Sequence, residues 1–331
     1  HLYGVRCTLL DERGRAIDDV RSYAGLRTIA CEGGVVLLNN QPLYLRLVLD
    51  QGFYPDGVWT APSDAALKHD IVLAQRAGFN GARLHQKVFE ERFHYWADRL
   101  GYVTWGESAS WGMDLSGSAA ARNFLAEWRA IVVRDRNHPS IIAWTPFNET
   151  NPKYHSFDGR LQRDVYGLTK SLDPTRPVND ASGWCHELTD LFTVHNYEQD
   201  AAKLAHQLAR DEQGRVWQWA PAEQTPHAGQ PYIVDEFGGI KWIPPERRPH
   251  STRSWGYGDA PKTVEEFYTR LEGQVAALLS HDHICGYCYT QLTDVEQEQN
   301  GIYNYDRSAK FDMRRIARIF RRTRAGTMRR R

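Results

Sequence analysis

Apolar and polar positions along the chain change rhythm once. Over the first forty residues the apolar positions come in short runs, at 3–10, 27–31 and 35–38. Between them lie the turn-forming stretches Asp11-Glu12-Arg13-Gly14 and Glu32-Gly33-Gly34. This pattern predicts three short β-segments. From residue 43 onward, short apolar runs alternate with helix-length segments. Strands are predicted at 43–49, 81–85, 102–105, 141–147, 178–181, 192–195, 232–235 and 284–289. Helices are predicted at 65–77, 89–100, 123–136, 162–172, 264–280 and 314–322, the first of them behind a Ser63-Asp64 cap. Strands and helices in this alternation predict an α/β protein, a parallel (β/α)₈ TIM barrel preceded by a short partial β-sandwich segment. Three short strands close no core alone. Residues 1–36 are therefore expected as a partial immunoglobulin-like segment packed on, or completed outside, a barrel of residues 37–331.

Composition changes this picture little. A chain of 331 residues accommodates one barrel of about 250 residues and a small appendage. Lys plus Arg and Asp plus Glu number 41 each, so net charge points to no nucleic-acid or membrane partner. Arg supplies nine of the last 18 residues, without interleaved aromatics, which reads as the wet face of a terminal helix. Eleven Trp and 16 Tyr offer ring faces that can fill a core or stack on a sugar. Five scattered cysteines make a poor disulfide framework. Cys285 and Cys288 form C-x-x-C inside a strand, where residues three apart face opposite sides, so no metal or redox pair is expected. The sequence contains no signal peptide and no apolar run long enough to span a membrane. It assigns no compartment, with a cytoplasmic one slightly favoured, and sets no oligomeric state.

The candidate chemistry lies at strand ends. The fourth predicted strand runs through Trp144-Thr145-Pro146-Phe147 into Asn148-Glu149, and the seventh through Tyr232-Ile233-Val234 into Asp235-Glu236. Strand C-termini of a barrel open into its active site. Strands four and seven of eight face each other across that mouth. Two carboxyl groups flanking one bond are what glycoside hydrolysis needs. Either acid alone is more often a cap or a salt-bridge partner; the pair is the signal.

These segments resemble glycoside hydrolase family 2, the β-galactosidase, β-glucuronidase and β-mannosidase group. His138-Pro139-Ser140-Ile141 leading to Asn148-Glu149 is similar to the family's acid/base segment, and Ile233 to Gly238 to its nucleophile segment. Asn80-Gly81-Ala82-Arg83-Leu84-His85, Asp98 through Glu107, and His195-Asn196-Tyr197 resemble its second-, third- and sixth-strand segments. Residues 1 to about 35 resemble the tail of its immunoglobulin-like domain. The resemblance implies a retaining exo-β-glycosidase acting on a carbohydrate; no cofactor or metal is expected. Glu149 would be the general acid/base and Glu236 the nucleophile. Asn148 would hold the hydroxyl next to the anomeric carbon, and Arg83 and Tyr197 would orient Glu236. His195 also belongs to the expected sugar site, whose rim would draw on Asp50, His85, Trp105, Trp184 and Tyr289.

The chain departs from the family pattern at two places that touch sugar. The first strand ends Leu49-Asp50-Gln51, and the eighth reads Tyr289-Thr290-Gln291 where a Trp platform is common. The sugar therefore stays unnamed. Asn151-Pro152-Lys153 has the N-x-K form associated with uronic-acid recognition but sits after strand four, and is read as chance. Glu107 could help hold a cation, or serve a structural role. Two alternatives remain open: an endo-acting glycanase of the same clan, and a catalytically silent carbohydrate-binding barrel.

Overall fold

The computed structural model describes residues 1–114, 116–151, 159–247 and 253–324. Lys153 of the N-x-K stretch and the arginines beyond Arg324 lie outside them. The chain opens with an antiparallel hairpin, β1 (Leu2–Leu10) and β2 (Ala16–Gly25). β2 is absent from the sequence expectation. Its Ile17 and Val20 stand among Asp18, Asp19 and Arg21, and almost all of the strand is exposed. A strand that buries neither face carries no apolar alternation to read. β3 (Ile29–Glu32), β4 (Val35–Leu38) and β5 (Gln41–Pro42) form a small antiparallel sheet. Its buried Val36 packs into one cluster with Leu45, Leu47 and Cys285, so this sheet closes the bottom of the barrel.

The barrel is built of parallel strands: β6 (Leu45–Asp50), β7 (Gly81–Leu84), β8 (Val103–Glu107), β9 (Ile141–Thr145), β10 (Phe147–Asn148), β11 (Ala181–Ser182), β12 (Phe192–Asn196), β13 (Tyr232–Gly238) and β14 (Ile284–Thr290). One continuous sheet runs β12-β13-β14-β6-β7-β8-β9. The fourth position is shared by β9 and β10, and the fifth is only the Trp144–Val178 bridge and the β10–β11 pair. The expected fifth strand is short because its polar residues are drawn off into loop contacts. Asp180 accepts from His186 Nδ1 at 2.7 Å, Glu187 N at 2.7 Å and Leu188 N at 3.0 Å.

Around the strands lie α1 (Asp64–Ala77), α2 (Glu91–Leu100), α3 (Ser118–Asp135), α4 (Arg160–Leu172), α5 (Ala201–Leu208), α6 (Val264–Leu279) and α7 (Met313–Phe320). Ser63 caps α1 as expected, its side chain accepting from Ala66 N. The short α5, capped by Asp200, is an addition to the predicted helices. Two apolar layers result. Val48, Ala82, Val234, Tyr287 and Tyr289 face the helices. Leu47, Leu49, Trp105, Ile142 and Ile233 fill the interior. Cys285 and Cys288 both join the interior cluster, contrary to the expected opposite faces, because the β13–β14 register slips next to Cys285. Both remain free thiols.

Candidate active site

Four strands deliver side chains to the C-terminal mouth. β7 contributes Arg83, the β9–β10 segment Asn148 and Glu149, β12 His195 with Tyr197 just beyond it, and β13 Asp235 and Glu236. Strict alternation would send Asp235 and Glu236 to opposite faces. The β12–β13 register shifts so that Val194 pairs with Val234 but His195 with Glu236. This bulge brings both acids toward the barrel axis.

Arg83 is fully buried, and each of its three nitrogens meets polar partners. Nε bonds Glu107. Nη1 pairs with Glu236 Oε1 at 2.9 Å and donates to the Asp235 carbonyl at 3.0 Å. Nη2 donates to Asn148 Oδ1 at 2.7 Å and to His85 Nδ1 at 2.8 Å. One guanidinium thus holds groups from β8, β10 and β13 in register. Asn148 keeps its Nδ2 buried with no acceptor among the described residues, free for a ligand hydroxyl.

His195 stands between the two acids. Its Nδ1 is 2.7 Å from Glu149 Oε1 and 3.3 Å from Glu236 Oε2. Its Nε2 is 2.8 Å from Ser182 Oγ, whose hydroxyl donates to Asp235 Oδ2 at 2.6 Å. Nε2 also lies 3.4 Å from Arg83 Nη1. His195 thus bridges both acids on one side and the Ser182–Asp235 pair on the other. Burial would lower this histidine, but Glu236, Asp235 and Glu149 outweigh it and raise it. Burial likewise pushes the Glu236 carboxyl up, yet His195, Arg83, His85 and the Tyr197 hydroxyl hold it down at about 2. Tyr197 donates to Glu236 Oε2, lies 3.0 Å from Thr290 Oγ1 and stacks on Tyr257 with ring centroids 3.4 Å apart. Asp235 shifts the other way, raised by burial against His195, Arg83 and Ser182.

Glu149 ends its strand in a left-handed backbone, φ 53°, with its N–H bonded to Ser182 O at 2.9 Å. A non-glycine there is strained, and such strain collects where a side chain must be aimed. Reaching atoms of Glu149, His195 and Glu236 all lie within 4.8 Å of one another. The cluster could be read as a cation site. Arg83, His195 and Tyr197 already neutralise and hydrogen-bond these carboxylates, which suits proton transfer.

The structure corrects part of the expected rim. Trp105 is fully buried in the interior beneath the site, not at its edge, because its strand position points inward below Glu107. Tyr289 points outward and packs edge-on against Phe237 and Phe320. Asp50 also lies on the outer face, accepting from Gly52 N at 2.9 Å; burial and nearby Asp70 raise its carboxyl to about 7. His85 does reach the site, partly exposed, beside Arg83 and edge-on to Trp111. Trp184 is half-buried and stacked on Trp219, centroids 4.9 Å apart. Four site groups escaped the sequence reading: Asp235, Ser182, Tyr257 and the Arg83-pairing role of Glu107. Asp235 was legible as the neighbour of Glu236. Ser182 and Tyr257 carry no local signal.

With this geometry described, comparisons with known proteins can be placed. The family model for glycosyl hydrolases family 2, TIM barrel domain, matches residues 29–241. Among curated relatives, a beta-galactosidase of Aeromonas hydrophila subsp. hydrophila is 32% identical over 190 residues, covering 55% of this chain and 18% of its own length. A beta-galactosidase of Pseudoalteromonas haloplanktis is 31% identical over 233 residues, covering 68% of the chain and 22% of its own length. Among solved structures, a beta-galacturonidase of Eisenbergiella tayi bound to galacturonate superposes with TM-score 0.74 at 21% identity, over 97% of this chain and 58% of that one. A Bifidobacterium dentium beta-glucuronidase complexed with coumarin-3-O-glucuronide gives TM-score 0.75 at 21% identity, over 96% of this chain and 53% of that one. The chain thus spans about a fifth of these curated relatives and somewhat over half of these solved chains, which at this identity speak for the fold alone. On the strength of the family match across its barrel, the chain belongs to glycosyl hydrolase family 2.

Proposed function

We propose that the chain carries the catalytic site of a retaining exo-β-glycosidase. One observation supports this most directly: carboxylate oxygens of Glu149 and Glu236 come within 4.8 Å of each other. Retaining enzymes hold their carboxyl groups roughly 5–5.5 Å apart, whereas inverting ones leave about 6.5–9.5 Å for a water. Glu236, kept ionised by Arg83, His195 and Tyr197, attacks the anomeric carbon while Glu149 protonates the leaving oxygen. A covalent glycosyl-enzyme forms. Glu149, now a carboxylate, takes a proton from water as that water displaces Glu236. The two inversions restore the starting configuration. His195 Nδ1, 2.7 Å from Glu149 Oε1, positions that carboxyl beside the scissile bond. The free Nδ2 of Asn148 is placed for the hydroxyl beside the anomeric carbon.

Aryl β-glycosides and the anomeric configuration of the first product, read by NMR, test this reading. Glu236→Gln should lower kcat by about 10⁴-fold or more, the scale seen when a nucleophile is removed. Glu149→Ala should spare substrates with good leaving groups far more than poor ones. Normal turnover by Glu236→Gln, or a first product of inverted configuration, would overturn it.

A further inference from the structure

Beside the catalytic pair stands a second polar wall that the reaction itself does not use. Gln51 follows β6 and Gln291 follows β14, so both sit at the barrel mouth between its first and eighth strands. Gln51 Nε2 donates to Gln291 Oε1 at 2.8 Å and reaches Glu298 Oε2 at 3.3 Å. Gln291 Nε2 donates to Asn300 Oδ1 at 2.9 Å, and Asn300 Nδ2 donates to Glu298 Oε1 at 3.1 Å. Gln291 and Asn300 are buried. The wall adjoins the nucleophile: Thr290, next to Gln291, touches the Tyr197 hydroxyl that binds Glu236. Glu298 senses the charges of both His85 and Glu236, and Tyr257 senses Glu236, Glu298 and Glu149 together. Glu298 itself forms a backbone bridge with Trp255, and Trp255 meets Tyr257 edge-on.

Around the catalytic pair, Arg83 and His195 offset the acids, but Glu298 has no cationic partner among the described residues. Among them, the Glu298 carboxylate is held by the amides of Gln51 and Asn300 alone. Arg83 is already engaged by Glu107, Glu236, the Asp235 carbonyl, Asn148 and His85. Each Glu298 oxygen takes one amide donor and keeps a lone pair for a further donor. An incoming carboxylate would meet a carboxylate; an incoming hydroxyl would find an acceptor.

Accepting the glycosidase reading, we propose that the Gln51–Gln291–Asn300–Glu298 wall recognises the sugar and selects a neutral glycoside over its counterpart carboxylated at the sixth carbon. Glu298 accepts hydrogen bonds from hydroxyls of the terminal sugar and repels a uronate. The two amides hold Glu298 in place, and Gln291 anchors both to the eighth strand. This preference is opposite to that of the uronate-bound neighbours whose fold the chain shares.

The test compares matched 4-nitrophenyl β-glycosides: galactoside against galacturonide and glucoside against glucuronide. The better neutral substrate should exceed its uronide by about 100-fold or more in kcat/KM, the scale of a like-charge contact worth several kcal/mol. Glu298→Gln should close that gap by about tenfold or more, lowering the neutral substrate and raising the uronide. Calorimetric binding of a neutral iminosugar and of its 6-carboxylate gives a readout independent of turnover. Tight neutral binding without any turnover would refute the glycosidase reading and leave the wall's selectivity standing. Tighter binding or faster turnover of the carboxylated ligand by the unaltered chain, or a ratio indifferent to Glu298→Gln, would overturn the selectivity.

Discussion

At the residue scale the site is an arrangement of compensated charges. Arg83 and His195 lie among Glu107, Glu149, Asp235 and Glu236, and the buried Glu236 carboxylate stays ionised at such depth only because it is paired. Glu236 is the clearest case. Its carboxyl falls from the ordinary 4.5 to about 2, since the cations and the Tyr197 hydroxyl outweigh burial. A depressed folded-state value means stability that is present above the unfolded value and lost as pH drops through the folded one. The unaltered chain should therefore lose stability relative to Glu236→Gln as pH falls from about 4.5 toward 2. Thermal unfolding of both proteins across that window checks it, and a difference that does not vary with pH would contradict the ion-pair account.

At the element scale, backbone geometry decides which side chains meet. The register shift between β12 and β13 turns Asp235 and Glu236 inward together. The left-handed turn at Glu149 aims its carboxyl at His195. The turn after β11 works by absence of a side chain. Gly183 has φ 91°, and a Cβ there would fall 2.4 Å from His195 Cδ2. Gly183→Ala therefore strains the turn and pushes the imidazole away from both acids. A misplacement of about 1 Å can cost on the order of 100-fold in rate. We expect a drop of about that size in kcat/KM with the barrel still folded, measured by steady-state kinetics beside circular dichroism. Unchanged kinetics would show that His195 does not need its present position.

At the scale of the whole molecule, the barrel and the hairpin differ in how they are held. The barrel has interior and exterior apolar layers, and the β3–β5 sheet shuts its base. The β1–β2 hairpin leaves Tyr3, Val5, Leu9, Ile17 and Val20 exposed. Its tie to the barrel runs through Tyr23, whose hydroxyl donates to Asp98 Oδ2 at 2.6 Å. A two-stranded ribbon without a packed face is marginal in water. Amide hydrogen exchange should find β1 and β2 opening far more readily than β6–β8 or β13, with protection confined to the end near Tyr23. Equal protection in hairpin and barrel would show that something else covers the ribbon.

The sequence alone determined the barrel, because its strands are buried on both faces and announce themselves as apolar runs between helix-length segments. It also exposed Asn148-Glu149 and Asp235-Glu236, because two strand-end acids facing each other across a barrel mouth are far more specific than one, while Arg83 and Tyr197 came from the family resemblance. Less was legible where contacts join residues far apart. β2 buries too little to show a pattern. Trp105, Tyr289 and Asp50 lie on strands whose inward and outward faces cannot be assigned when both are apolar, so only the fold could send them away from the mouth. The setting of His195 depends on Ser182 and Asp235 converging from two other strands. Glu298 lies 62 residues beyond Glu236 and meets Gln51 only because the first and eighth strands close the ring. Local pattern records what each segment buries; which polar groups meet is decided by closure of the barrel, which no segment encodes by itself.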